Sequence, residues 1–261
     1  MVKKTILITQ ARLGSTRLPK KVLLEISNKT LLQIHIDRIK QAKQIDKIFV
    51  ATTKNTEDKK IIQLSKKLNV NYYCGSENDV LDRYYQAASN ENPYFVVRVT
   101  SDCPLVDPKL IDEIVSCAKE KDYDYYSNTL EELYPDGQDI EVFKFSALKQ
   151  AWINASLKSD REHVTSFIKK NSSFYNKNMF TSSNHYPDKN YNNVRLTVDE
   201  KEDFIVIKKI ISHLGFEENW KTYVNLYLKN NHINNLNNKI IRNEGYINSV
   251  KNEKNRSTSL Q

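Results

Sequence analysis

The chain has 261 residues, 39% of them hydrophobic, and a formal net charge of +8, which suits one α/β domain with an embellishment and a sizeable core. The lysines are scattered and no basic run with interleaved aromatics stands out, so nucleic acid is not the expected partner. Cys74, Cys103 and Cys117 are odd in number without metal-ligand spacing, and nowhere do 18 apolar residues run together; no disulfide framework, zinc site, signal core or membrane span is expected, and a reducing cytoplasm fits.

In chain order, Thr5 to Thr9 is an apolar, β-branched run too short for a helix and reads as a buried strand. Thr30 to Ala42 places Leu31, Leu32, Ile34, Ile36 and Ile39 among polar positions, compatible with a helix packed on a sheet. Lys47 to Thr53 is the next strand, and Glu57 to Leu68 an amphipathic helix capped by Asn55 or Thr56. Then come a short strand at Asn71 to Cys74, a helix at Asn78 to Ser89, a buried strand at Tyr94 to Thr100 and a helix at Pro108 to Glu120. This alternation predicts a three-layer α/β fold, a mostly parallel sheet with helices on both faces. Ligands of such sheets lie beyond the carboxyl ends of the strands. Further on, Tyr134 to Phe143 reads as a turn into an alternating strand, Ser159 to Ile168 as a helix start, and Val194 to Val198 as a short strand before a helix opened by acids. Residues 1–250 form the expected single domain; Asn252 to Gln261 lacks apolar periodicity and is an expected disordered tail.

Several segments carry chemistry. Ala11 to Lys21 leaves the first strand with Arg12 and Arg17, planar forks suited to phosphate oxygens, and with Lys20 and Lys21 as point charges. Gly14 lets backbone N–H groups turn toward an anion. A solvated basic loop is the plain alternative. Asp102 follows a strand at the same sheet edge, where it could bind Mg²⁺ beside a triphosphate or merely cap a turn. Asp199 repeats the arrangement after Val198, and it too could simply cap a helix. Asp139 and Glu141 lie opposite Ile140 and Val142, where they could bond a polyol or form an exposed strand face. Arg161 could pair with an acceptor's anionic group, and His163 could donate a hydrogen bond, act as a base or be structural.

The pattern Ala-Arg-x-x-Ser-x-Arg-Leu-Pro-x-Lys-x-Leu at Ala11 to Leu23 resembles the signature of the CTP-dependent cytidylyltransferases that activate acidic sugars. Those enzymes include the 3-deoxy-manno-octulosonate and acylneuraminate cytidylyltransferases, and the pattern is most similar to the group of spore-coat polysaccharide biosynthesis. Pro135 to Phe143, Arg161 to Thr165 and the piece around Gly245 are also similar to that group. Two positions depart from it: Lys20 stands where glycine is common, which makes Lys21 the motif lysine, and Gln138 stands where an apolar residue is common.

The resemblance implies a Rossmann-like, GT-A-like nucleotidyltransferase fold, with a small β-containing acceptor and dimerisation insertion at about 125–192. It implies Mg²⁺-dependent transfer of CMP from CTP to an anionic sugar-like acceptor, with pyrophosphate released. Ala11, Arg12, Gly14, Ser15, Arg17, Lys21, Arg83 and Asp102 would meet the nucleotide, with Arg12, Arg17, Lys21 and Asp102 catalytic. Asp102 and Asp199 would hold the metal, and Gln138, Asp139, Glu141, Arg161 and His163 the acceptor. It further implies a cytoplasmic homodimer serving cell-surface polysaccharide assembly. Two other classes remain: a GT-A-type glycosyltransferase using Asp122-Tyr123-Asp124, and a non-catalytic nucleotide-binding module.

Overall fold

A computed structural model of the chain describes residues 3–247, 249 and 251; the tail expected at Asn252 to Gln261 lies outside the described residues. The elements alternate as the periodicity predicts. Strand β1 (Thr5–Gln10) is followed by a small hairpin, β2 (Glu25–Ile26) and β3 (Lys29–Thr30), and by helix α1 (Leu31–Ile39). Then come β4 (Lys47–Thr53), α2 (Lys59–Lys67), β5 (Asn71–Gly75), α3 (Val80–Ser89), β6 (Phe95–Thr100) and α4 (Pro108–Lys121). The second half adds β7 (Tyr125–Ser127), β8 (Glu141–Lys144), α5 (Phe145–Asn154), α6 (Lys158–Glu162), α7 (Ser166–Lys170) and β9 (Ser182–Asn184). Helices α8 (Lys201–Leu214), α9 (Trp220–Lys229) and α10 (Asn231–Asn234) follow.

Seven strands form one sheet in the order β5-β4-β1-β6-β8-β7-β9. All its pairings are parallel except those that β8 makes with β6 and β7. Register divides the strand residues between two faces. Leu7, opposite Ile48 and Val97, shares a face with Val142 and Tyr126, and α4, α8 and α9 pack on it. Ile6 and Ile8, with Val96, Phe143 and Tyr125, face α3 and α5 on the other side. The segment expected as a β-containing insertion at about 125–192 supplies three strands, β7, β8 and β9, to the main sheet. No helix among the described residues is long and apolar enough to cross a membrane, and the three cysteines are free.

Four local expectations are corrected. Neither Asn55 nor Thr56 caps α2, which begins after a 3-10 turn at Thr56–Asp58. The helix expected from Ser159 is broken into α6 and α7 around Val164, which stands at φ 58°. The alternating strand expected within Tyr134 to Phe143 begins only at Glu141. The strand expected at Val194 to Val198 is extended but has no ladder: Leu196 N–H donates to the Asp136 carbonyl (2.7 Å) and Val198 N–H to that of Asp102 (2.8 Å). Its backbone groups are satisfied by two loops instead of a strand, while Val194, Leu196 and Val198 are fully buried.

Two backbone positions are conformationally demanding. Gly137 stands at φ +106°, and a Cβ there would lie 2.6 Å from the Leu196 carbonyl carbon, so no side chain fits. Lys20 stands at φ 57°, ψ 25°, in the left-handed region, which costs a residue with a Cβ about 1–2 kcal/mol. Its side chain is exposed, so Lys20→Gly should raise the stability by about 0.5–1 kcal/mol after the glycine's entropy is counted. A urea-unfolding midpoint that falls instead would show that the lysine side chain supplies a compensating contact.

Candidate active site

The loop after β1 is fixed from below and open above. Ala11 N–H donates to the Ala51 carbonyl (3.1 Å), Leu13 N–H to the buried Asp58 carboxylate (2.8 Å) and Lys20 N–H to the Leu13 carbonyl (3.2 Å). With Ala11 and Leu13 side chains buried, the polar residues between them are left at the carboxyl edge of the sheet. Ala11, Arg12, Ser15, Arg17 and Lys21 line an inner cavity of about 440 Å³. Gly14 does not line it and faces Glu77 and Glu57 instead. Arg83, on α3, also lines this cavity; its Nε and Nη1 are buried and have no partner. Its stem is held against Gly75, where an added Cβ would lie 3.1 Å from the Arg83 Cγ.

Asp102 and Asp199 meet on one cation. Lys21 Nζ lies 2.9 Å from Asp102 Oδ2 and 2.7 Å from Asp199 Oδ1. Burial alone would push the Asp102 carboxyl up, but the Lys21 ammonium and the hydroxyl of Thr100 hold it well below the usual carboxylate range. Burial likewise opposes the charge on Lys21, and the two aspartates overcome it and raise its pKa. The pair therefore forms a dianionic site that already accommodates a positive charge. Among the described residues no third His, Cys, Asp or Glu joins them as a ready-made metal cage. Two carboxylates completed by phosphate oxygens and water are the donor set that Mg²⁺ takes, so the residues present fit that ion.

Asp199 is not the helix cap. Glu200 takes that position at α8, in a reciprocal capping box with Asp203, which leaves the Asp199 carboxylate for the cleft. Its second oxygen is held by Arg195, whose Nη2 is 3.4 Å away. The same guanidinium bonds Asp203 through Nε (2.8 Å) and Nη2 (2.9 Å), and Asp136 through Nη1 (2.5 Å). Asn237 completes this buried group by donating to Asp203 (2.9 Å). Arg17 lies 3.1 Å from Asp199 and 3.3 Å from Glu200. Arg12 is 3.0 Å from Glu77.

A middle cavity of about 260 Å³ continues from the inner one through Gln10, Thr100, Asp102 and Asp199, which line both. Asp139, Glu141 and His163 line it, as the acceptor assignment expects of them. Glu141 is buried and its carboxylate is occupied: Oε1 accepts from the hydroxyls of Tyr125 and Thr165, both at 2.6 Å, and lies 3.0 Å from Lys169, while Oε2 meets Arg98 from the opposite register position. His163 Nε2 is buried and unpartnered, and burial lowers its pKa, so the imidazole is neutral near pH 7. Burial and the nearby Asp139 push the Asp136 carboxyl up.

Gln138 and Arg161 are corrected: neither lines the cleft. Gln138 is fully buried, its amide accepting from Asp107 N–H and donating to the Leu105 carbonyl, each at 2.9 Å. Arg161 joins α6 to α3 by an ion pair with Asp79 (2.7 Å) and bonds the carbonyls of Trp152 and Ala155. Cleft residues missed from the sequence are Arg98, Asp136 and Lys169; an arginine inside the apolar run Phe95 to Val99 was a signal that one of them had a polar destination. Asp122 and Asp124 lie at the other edge of the sheet, where Lys144 pairs with both and Tyr94, just before β6, bonds Asp122. They are not placed to serve this cleft.

Comparison with known proteins identifies the family. The family model described as Cytidylyltransferase matches residues 6–240. An uncharacterised protein of Methanocaldococcus jannaschii is 37% identical over 238 residues, 91% of this chain and 96% of that protein. The spore coat polysaccharide biosynthesis protein SpsF of Bacillus subtilis is 30% identical over 218 residues, 80% of this chain and 86% of that protein. The structure of a cytidylyltransferase from Leptospira borgpetersenii is matched with a TM-score of 0.84 and 31% identity, over 92% of this chain and 99% of that one. With a match spanning nearly its whole length, the chain belongs to the cytidylyltransferase family, the CTP-dependent nucleotidyltransferases.

Proposed function

We propose that this enzyme transfers CMP from CTP to a hydroxyl of a sugar-like, anionic acceptor, with Mg²⁺ bound and pyrophosphate released, in the assembly of a cell-surface polysaccharide. The observation that carries the reading is the single ammonium of Lys21 shared by Asp102 and Asp199. The ammonium gathers residues far apart in the chain, Asp102 lying 81 and Asp199 178 positions after Lys21. Arg12, Arg17 and Lys21 bind the triphosphate, which requires Arg17 and Lys21 to turn from carboxylates toward phosphate oxygens. They then neutralise charge developing on the leaving pyrophosphate. Asp102 and Asp199 would hold Mg²⁺, which when bound would polarise the α-phosphate and screen it from the carboxylates. Arg83 offers two buried, unpartnered N–H groups, the complement of the O2 and N3 acceptors of cytosine; uracil presents an N–H at the second of these. The protein's share of catalysis is positioning and electrostatics.

The direct test is pyrophosphate release with Mg²⁺, each of the four nucleoside triphosphates in turn, and a panel of sugar acids and sugar or polyol phosphates. CTP should be the effective donor, and chelation of the metal should stop release until Mg²⁺ is restored. Asp102→Asn should lower kcat by about a hundred- to a thousandfold, the usual effect of losing one preorganised charge, with circular dichroism unchanged; a rate within a few-fold of the parent would remove Asp102 from the reaction. In Arg83→Lys the preference for CTP over UTP should fall by about tenfold or more, since one lysine cannot make the paired contact. An unchanged preference would assign base recognition elsewhere.

A further inference from the structure

The cleft does not end at the middle cavity. An outer cavity of about 470 Å³ adjoins it, and Arg98, Glu132, His163 and Lys169 are among the residues that line both. The two differ in charge. Around the middle cavity the acids Asp102, Asp199, Asp136, Asp139, Glu132, Glu244 and Glu141 outnumber the cations Arg17, Arg98 and Lys169. The outer one is lined by Arg98, Lys169 and Lys170, the hydroxyls of Thr165 and Ser166, and one acid, Glu132.

The oxygen that attacks the α-phosphate has to lie beside Asp102 and Asp199, at the end of β6. Arg98 is two residues back from the last residue of that strand, about 7 Å lower at roughly 3.3 Å per residue. Its guanidinium is kept at that level by Glu141, its cross-strand partner. Glu141 in turn is saturated by Tyr125, Thr165, Lys169 and Arg98, while Arg98 Nε and His163 Nε2, on walls common to both cavities, are buried without partners. Buried unsatisfied polar atoms mark a place where a ligand completes the bonding. Lys170 is paired with Asp160, and Lys169 also reaches Thr129 (2.8 Å).

We propose that the acceptor is a polyhydroxylated molecule whose anionic group is remote from the attacking hydroxyl, with the anion in the outer cavity against Arg98, Lys169 and His163. This rests on the cytidylyltransfer reading and deepens it. In an α-keto acid sugar the carboxylate is two bonds from the anomeric oxygen, and attack by that oxygen would set a carboxylate among the surplus acids of the middle cavity. A polyol phosphate or a terminal sugar acid avoids this repulsion: hydroxyls donate to Asp136 and Asp139, and the charge reaches the donors beyond.

The experiment uses the full chain with CTP and Mg²⁺ and compares ribitol 5-phosphate, erythritol 4-phosphate, gluconate, neutral ribitol and 3-deoxy-manno-octulosonate in the pyrophosphate assay. A phosphorylated polyol or the terminal acid should exceed ribitol and the keto acid in kcat/KM by at least tenfold, phosphate and carboxylate being told apart by which of them does so. In Lys169→Met, KM for that acceptor should rise tenfold or more while KM for CTP stays within twofold; the wild-type comparison stands even where this variant folds poorly. Preference for 3-deoxy-manno-octulosonate, or equal use of ribitol and its phosphate, would overturn the inference and leave the proposed function intact. No pyrophosphate from any acceptor, with CTP shown to bind, would overturn both.

Discussion

One buried guanidinium fixes the geometry on which the cleft depends. Arg195 touches three carboxylates that belong to different parts of the chain: Asp136 in the turn before β8, Asp203 in the first turn of α8, and Asp199 at the nucleotide end. Burial would lower its pKa, but those acids raise it, so it stays charged. Breaking a buried pair of this kind leaves an uncompensated charge and commonly costs about 3–5 kcal/mol. Replacing the whole group by apolar residues could be energetically neutral, but it would remove the contact that holds Asp199 Oδ2 on Arg195 and leaves Oδ1 for Lys21.

The same electrostatics divides the cleft into regions with different tasks. At the inner end, the cations of the opening loop are each held by carboxylates: Arg12 by Glu77, Arg17 by Asp199 and Glu200, Lys21 by Asp102 and Asp199. These pairs are partly exposed, apart from Lys21, and exposed pairs contribute about 0–1 kcal/mol, so the two arginines are released at little cost. Deeper in, Glu141 and its four donors form a fixed floor. The last described turn closes the cleft from above, with Tyr246 edge-on to the His163 ring at 5.0 Å and Arg242 2.6 Å from Asp139.

Much of the fold was legible because its signals are local. β-branched runs bounded by polar residues marked the parallel strands, and Pro108 marked the start of α4. Asp102 was legible as a residue of the cleft because it follows a strand at the edge where the opening loop also lies. What was hidden depends on long-range partners. Gln138 reads as a polar residue facing an acceptor, yet the backbone of Asp107 and Leu105 lies where its amide points. Arg161 reads as a free cation, and Asp79 satisfies it across the fold. Val194 to Val198 has the alternation of a strand, and only the positions of two loops decide that its hydrogen bonds leave the sheet. Lys169 gave no local sign because its site partner, Glu141, is 28 residues away in sequence by their numbers.

Gly137 shows how a steric fact becomes a marker for recognising other chains. Its α-hydrogen faces the backbone of Leu196 and Thr197, the stretch that delivers Asp199 to the cleft. A chain that brings these two segments together in the same way has no alternative residue at that point. Glycine at the turn, paired with an arginine and an aspartate four residues apart on the facing stretch, is thus a two-part fingerprint. It could be sought in genomes where overall identity has become too low to reveal the shared cleft.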